Sequence, residues 1–223
     1  MTAPLVFPIG HYVGAHHPGV GAPVSYHKVR IGADVARLPD EDHLRVWALS
    51  HGLPGQVGEV PWHRQAVLDA AGHVPESARL LDALIAMGLV VEVSPGTPGA
   101  ADFARTHRMR PLLTGLGNSP DDPLRFAIGL IGTPVVKVES SVFEMWQWGR
   151  LGSSLWDTAD MFFKVDQASK VDQAMSDAAR SGRTTDGGTE SVLTDILERL
   201  HLLLGYNAAY LDLALTRPTD ELI

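Results

Sequence analysis

Apolar residues near the start of the chain cluster in two short runs rich in β-branched and aromatic side chains, LVFPIGHYVG (5–14) and SYHKVRIG (25–32). A Gly/Pro/His loop, AHHPGVGAP (15–23), divides them, and this punctuation predicts strands. From residue 38 the spacing lengthens. In LPDEDHLRVWALSHG (38–52), Asp40 or Asp42 caps a helix with Leu44, Val46, Trp47 and Leu49 on its apolar flank, and Gly52 ends it. PWHRQAVLDAAG (61–72) opens with proline at its first turn and predicts a second helix. VPESARLLDALIAMG (74–88) carries Leu80, Leu81, Leu84, Ile85 and Met87 at helical spacing, followed by a strand, LVVEV (89–93). After the turn SPGTPG (94–99), THRMRPLLTGLG (106–117) is expected to return as the partner strand of 89–93.

The same order is read again in the second half. LRFAIGLIG (124–132) and TPVVKVESSV (133–142) form a hairpin-like pair, and the phrase Phe-x-Ile-Gly occurs at Phe7 and again at Phe126. VFEMWQWGRLG (142–152) matches the first helix, with Trp146 in the place of Trp47. The long stretch 153–182 contains KVDQ twice and ends in QAMSDAARSG, an echo of QAVLDAAG. TESVLTDILERLHLLLGYNAAYLDLAL (189–215) echoes the third helix and its closing strand, with Gly205 as the stop. Repeats fix the reading of a fold, so the chain is expected to contain two related units, 1–117 and 118–223.

An apolar helix, a glycine and an apolar strand, preceded by two short helices, resembles the winged-helix superfamily. The resemblance covers about 38–116 and, more loosely, 133–215, where the linker between helices is long and no return strand follows. It implies an α+β fold of tandem winged-helix-like units; the extra β-hairpins at 5–32 and 124–140 lie outside a minimal winged helix and are expected between the units, pairing them into one sheet. Three short helices cannot bury their apolar stripes alone, and a small hairpin covers the open side.

Composition narrows the function more than it names it. Hydrophobic residues make up 45% of the 223 and charged residues 20%, as in globular domains. No apolar run is long enough to span a bilayer, and the N-terminus lacks the basic-then-apolar pattern of a signal peptide. No cysteine is present, which excludes disulfides, thiolate metal sites and Cys nucleophiles. A cytoplasmic location is therefore expected. Residues 1–116 hold 9 Lys/Arg against 10 Asp/Glu, whereas residues 117–223 hold 9 against 16. A broad nucleic-acid face needs a basic excess that this distribution lacks. No G-x-S-x-G elbow, Walker lysine or full dinucleotide fingerprint occurs. The chain is thus expected to be non-catalytic, with no cofactor.

Three kinds of site remain. A protein- or peptide-binding adaptor is preferred, with Arg79, Trp146, Trp148 and Trp156 as partner contacts and Phe162 and Phe163 nearby in sequence. The alternative is a DNA-binding regulator that places Arg105, His107, Arg108 and Arg110, with Arg180 and Arg183, on phosphates. The helix that would enter the groove carries only Glu76, Arg79 and Asp82 as charged residues, a poor reading surface. The third is a metal site in the His11, His16, His17 and His27 segment. The leucine-rich stretch 189–205 is expected to pack between the units or to support a homodimer.

Overall fold

The computed structural model describes residues 3–176 and 188–215. Two series of elements follow one another. The first runs β1 (Leu5–Pro8), β2 (His11–His16), β3 (Tyr26–Ile31), β4 (Asp34–Leu38), α1 (Glu41–Leu49), α2 (Arg64–Ala70), α3 (Ser77–Ala86) and β5 (Val90–Val93). Helix α4 (Pro98–Thr106) leads into the second. That series is β6 (His107–Pro111), β7 (Thr114–Ser119), β8 (Asp122–Leu130), β9 (Thr133–Glu139), α5 (Ser140–Trp148), a 3-10 turn at Gly149–Leu151, α6 (Leu155–Ser176), α7 (Thr189–Arg199), α8 (His201–Leu204) and β10 (Ala209–Leu213). Each series opens with a short strand, continues as a three-stranded meander, passes through helices and closes with another strand.

The chain is therefore mixed α+β, with four small sheets among the described residues. Each opening strand pairs antiparallel with its own closing strand. Leu5 lies opposite Val93 and Pro8 opposite Val90, while His107 lies opposite Leu213 and Pro111 opposite Ala209. Both ladders stop at a proline, which has no N–H to continue the pairing. The next residue takes up the bond instead: Ile9 N–H donates to Leu89 O and Leu112 N–H to Ala208 O, both at 2.9 Å.

The joints between the last helix and the closing strand match as well. Gly88 (φ 69°) and Asn207 (φ 50°) occupy the left-handed region. The residue after each turns back onto the helix, Leu89 N–H to Leu84 O at 2.9 Å and Ala208 N–H to Leu203 O at 2.8 Å. This is the helix-ending bond that a left-handed residue allows, and glycine and asparagine adopt it most readily. A tryptophan stands seventh in α1 and seventh in α5. The Trp47 indole N–H donates to Ile9 O at 3.3 Å and the Trp146 indole N–H to Ala208 O at 2.9 Å. Both buried indoles thus satisfy their polar edge on the closing ladder.

Several expectations are corrected. Segment 106–117 does not return onto 89–93, because β5 pairs with β1 and β6 with β10. The turn at 94–99 leads into a helix, since the Thr97 side chain accepts from Ala100 N–H at 3.4 Å and Pro98 opens the first turn. The change between series consequently falls at α4, ahead of residue 117. Phe7-Pro8-Ile9-Gly10 ends β1, whereas Phe126 to Gly129 lie inside β8, so those phrases occupy different elements. The left-handed stop of the last helix is Asn207; Gly205 is right-handed at φ −63°. The meanders β2-β3-β4 and β7-β8-β9 remain separate sheets and do not merge into one.

Two cores form. One lies within the first series, around Val29, Leu38, Trp47, Trp62, Leu81 and Leu84. The larger one joins both series, with Phe7, Ile9, Val93 and Phe103 packed among Met109, Trp146, Leu197, Leu200 and Leu203. The leucines of 189–204 other than Leu202 are therefore buried inside the chain. Leu193, Ile196, Leu197, Leu200, Leu203 and Leu204 all belong to this core, which leaves them no face for a second copy.

Asn207→Gly is expected to keep or raise stability by up to ~1 kcal/mol, and Asn207→Val to lower it by about 1–2 kcal/mol, because a β-branched residue resists the left-handed region. Urea unfolding monitored by tryptophan fluorescence checks both directions.

Candidate functional site: a cleft along the β9 edge

Strand β9 has the sequence TPVVKVE, with Val136 and Val138 buried and Val135, Lys137 and Glu139 outward. It pairs with β8 on one side only and is an edge of its meander. A cleft of about 370 Å³ borders it. Four consecutive residues of the strand, Val136 to Glu139, line this cleft. Consecutive residues of a strand point to opposite faces, so a cleft touching all four runs past the strand's edge.

The opposite wall is the loop between α1 and α2, through Gly55, Val57, Gly58 and Glu59. Its seat is fixed by glycine. Gly58 has φ +93°, and a Cβ there would lie 2.6 Å from Leu202 Cδ2 on α8. Gly55 N–H donates to the Tyr206 hydroxyl at 3.1 Å. The cleft is thus built from both series, with Val57, Leu202 and Tyr206 supplying apolar surface between its charged rims.

Charges on the β9 side are mostly paired. Lys137 Nζ lies 3.2 Å from Asp122, and Arg199 lies 4.0 Å from Glu139 while donating to the Ser141 hydroxyl at 2.7 Å. Arg125 donates to Lys137 O at 3.2 Å. A second pocket of about 340 Å³ lies on the other side of the same loop and shares Gly58 and Glu59 with the cleft. Its lining adds Leu5, Trp62, Pro95, Glu198 and His201. A smaller cavity of about 240 Å³ sits among α5, α6 and α7, with Met145, Phe162, Val192 and Ile196 on its walls.

The residues singled out in the sequence fall elsewhere. Trp146 is buried in the core and has no surface to offer a partner. Trp148 is 43% exposed at the end of α5. Trp156 is half-buried beneath Arg105, whose guanidinium lies 4.2 Å from the ring centre. Arg79 is exposed on α3 and paired with Glu76. None of these four lines the cleft.

The arginines proposed for DNA are mostly engaged within the chain. Arg105 lies 3.4 Å from Asp102. His107 stacks on Phe103 at 4.4 Å and donates to its carbonyl at 3.0 Å, and burial holds its pKa below the usual histidine value. Arg108 and Arg110 face the buried Asp212 at 4.0 and 3.6 Å. That carboxylate accepts from Gly32 N–H at 2.6 Å and Leu213 N–H at 3.0 Å, tying the β3–β4 turn to β10. A buried carboxylate needs such partners, so these arginines serve the joint between the series. Arg180 and Arg183 lie outside the described residues.

The histidine segment does not assemble a metal site. His16 stacks on Tyr26 at 4.6 Å, His11 packs on Tyr210 at 5.0 Å, and His27 lies 3.3 Å from Glu41. His17 donates to Ala22 O at 2.8 Å. Among the described residues, no three His, Asp or Glu side chains gather as metal ligands.

The residues that do line the cleft left a faint signal in the sequence. GLPGQVGEVP (52–61) is punctuated by three glycines, and it reads as an ordinary loop until α8 is placed against it. Compared with known proteins, the chain matches no family model, no curated protein and no solved structure. No described helix is long and apolar enough to cross a membrane.

Two buried histidines make stability depend on pH. His201 donates to Val6 O at 2.8 Å and His51 to Trp47 O at 3.2 Å, and burial pushes both down to about 4. Above pH 6.5 both are neutral in either state and cost nothing. As pH falls below 6.5 the unfolded chain takes up protons that the native chain refuses, and stability drops until about pH 4. A shift of this size corresponds to about 3 kcal/mol per histidine. Thermal unfolding is expected to show a midpoint falling from pH 7 to pH 4.5, with a shallower fall in His201→Gln.

Proposed function

We propose that this chain is a non-catalytic, cytoplasmic adaptor that binds an extended peptide as an additional strand along β9. An open strand edge offers backbone N–H and C=O groups at a fixed spacing, and the pockets beside it select side chains. The observation that carries this reading is the cleft lined by Val136, Lys137, Val138 and Glu139 in succession. Its volume of about 370 Å³ is ample for several side chains, and its mixture of aliphatic and charged lining suits a peptide better than a small apolar ligand.

Each series is read here as a winged-helix-like unit, in which helices pack against a small ladder and the closing strand returns to the opening one. Support for this comes from the three helices before β5 and from the matched joints at Gly88 and Asn207. Binding to DNA has less behind it. On the outward side of α3, Arg79 is paired with Glu76, and Asp82 lies 2.7 Å from Arg64.

Peptides selected against the protein by display are expected to slow amide hydrogen exchange at 133–139. Leu202→Ala, which strips apolar surface from the cleft, is expected to weaken them about tenfold, or ~1.4 kcal/mol. Selected peptides that leave β9 exchange unchanged, or a failure to select any, would exclude this role.

A further inference from the structure

The second pocket differs from the β9 cleft in one respect that bears on recognition. Its walls are apolar or ring-shaped, formed by Leu5, Val60, Pro61, Trp62 and Pro95, and Glu59 and Glu198 also line it. Neither glutamate has a basic partner among the described residues, whereas the carboxylates on the β9 side, Asp122 and Glu139, lie within 4.0 Å of Lys137 and Arg199. His201 also lines the pocket, but it is neutral at ordinary pH and its ring donates to Val6 O. Two carboxylates thus line a cavity of about 340 Å³ and, among the described residues, neither forms an ion pair within 4.0 Å.

We propose that this pocket receives an arginine or lysine side chain of the peptide bound along β9. The proposal rests on the adaptor reading and names the residue that such a peptide must carry. Long basic side chains lay their methylene stems on apolar surface and keep the charged head among polar groups. Here the stem packs on Pro61, Trp62 and Pro95, and the head meets Glu59 and Glu198. A charge-assisted contact to a carboxylate is stronger than a neutral one, and the planar guanidinium satisfies two oxygens at once, so arginine is favoured over lysine. Because Gly58 and Glu59 line both cavities, one ligand seated on β9 reaches the pocket by crossing this short sill.

The test uses the intact chain and butylguanidine, with N-butylurea as its uncharged isostere. Butylguanidine is expected to shift the amide resonances of 58–62 and 198–201 with an affinity on the order of millimolar, and N-butylurea to leave them in place. Glu59→Gln with Glu198→Gln is expected to weaken butylguanidine at least tenfold. Both positions are exposed and unpaired among the described residues, so an unchanged unfolding midpoint verifies that the variant is folded. Absence of shifts at these amides, equal shifts by both probes, or an undiminished affinity in the double variant would overturn the pocket assignment. Protection of β9 by selected peptides is measured separately. The basic-residue pocket can therefore fail while strand binding stands, and the reverse outcome is equally visible.

Discussion

Strand β1 is the constraint on which the rest of this structure depends. All four of its residues are buried. Val6 packs into the core of the first series, while Leu5 and Phe7 pack into the core that joins both series. The period of two along a strand makes one short element a wall between two interiors. Its backbone is accounted for on both sides. One edge pairs with β5, and on the other Val6 N–H donates to Trp62 O at 2.9 Å while Val6 O accepts from His201 at 2.8 Å. Buried backbone groups must be met in this way, so the loop before α2 and the helix α8 are both bound to the position of β1. Phe7 extends the same link by stacking on Phe103 and His201, at 5.6 and 4.8 Å between ring centres.

That arrangement explains why the two series, alike in order, offer different surfaces. The outer edge of β1 is covered by residues 62–63 and by His201, which closes it to any further strand. The outer edge of β9 borders a cleft instead. Uncovered edges invite pairing, and proteins blunt them with charge; Lys137 and Glu139 sit on this one among alternating valines. The joint at Asp212 works at another point of the same boundary. It holds the first meander's turn on β10, with Arg108 and the more exposed Arg110 facing its carboxylate, so charge that reads as a basic patch along the sequence is partly offset by a buried carboxylate in space.

How far the sequence reading reached follows from the range of the interactions involved. Helices at 41–49, 64–70 and 77–86 were legible because caps, glycine stops and apolar spacing are local. Part of the likeness in order was legible too, through the tryptophan seventh in each first helix and the closing strands, whereas α4 and the opening role of β6 were not. Pairing was not. Segment 107–111 looks as suited to β5 as to β10, since its partner lies about a hundred residues further on and strand propensity carries no address. The tryptophans misled for a related reason. Trp146 and Trp148 stand two apart on one helix, so one faces the core and the other faces out, and only the packing of β10 decides which.

By itself the sequence determined an α+β chain without cysteine and the places of α1, α2 and α3, because these follow from dihedral preferences and spacing within a few residues. Only the tertiary structure decided which strands close which ladder, which arginines face a buried carboxylate and where an open edge remains. Those outcomes depend on contacts between segments far apart in the chain, such as Val6 with His201, Gly32 with Asp212 and Gly58 with Leu202. No single stretch of sequence contains both partners of such a contact, so its geometry exists only once the two cores have formed.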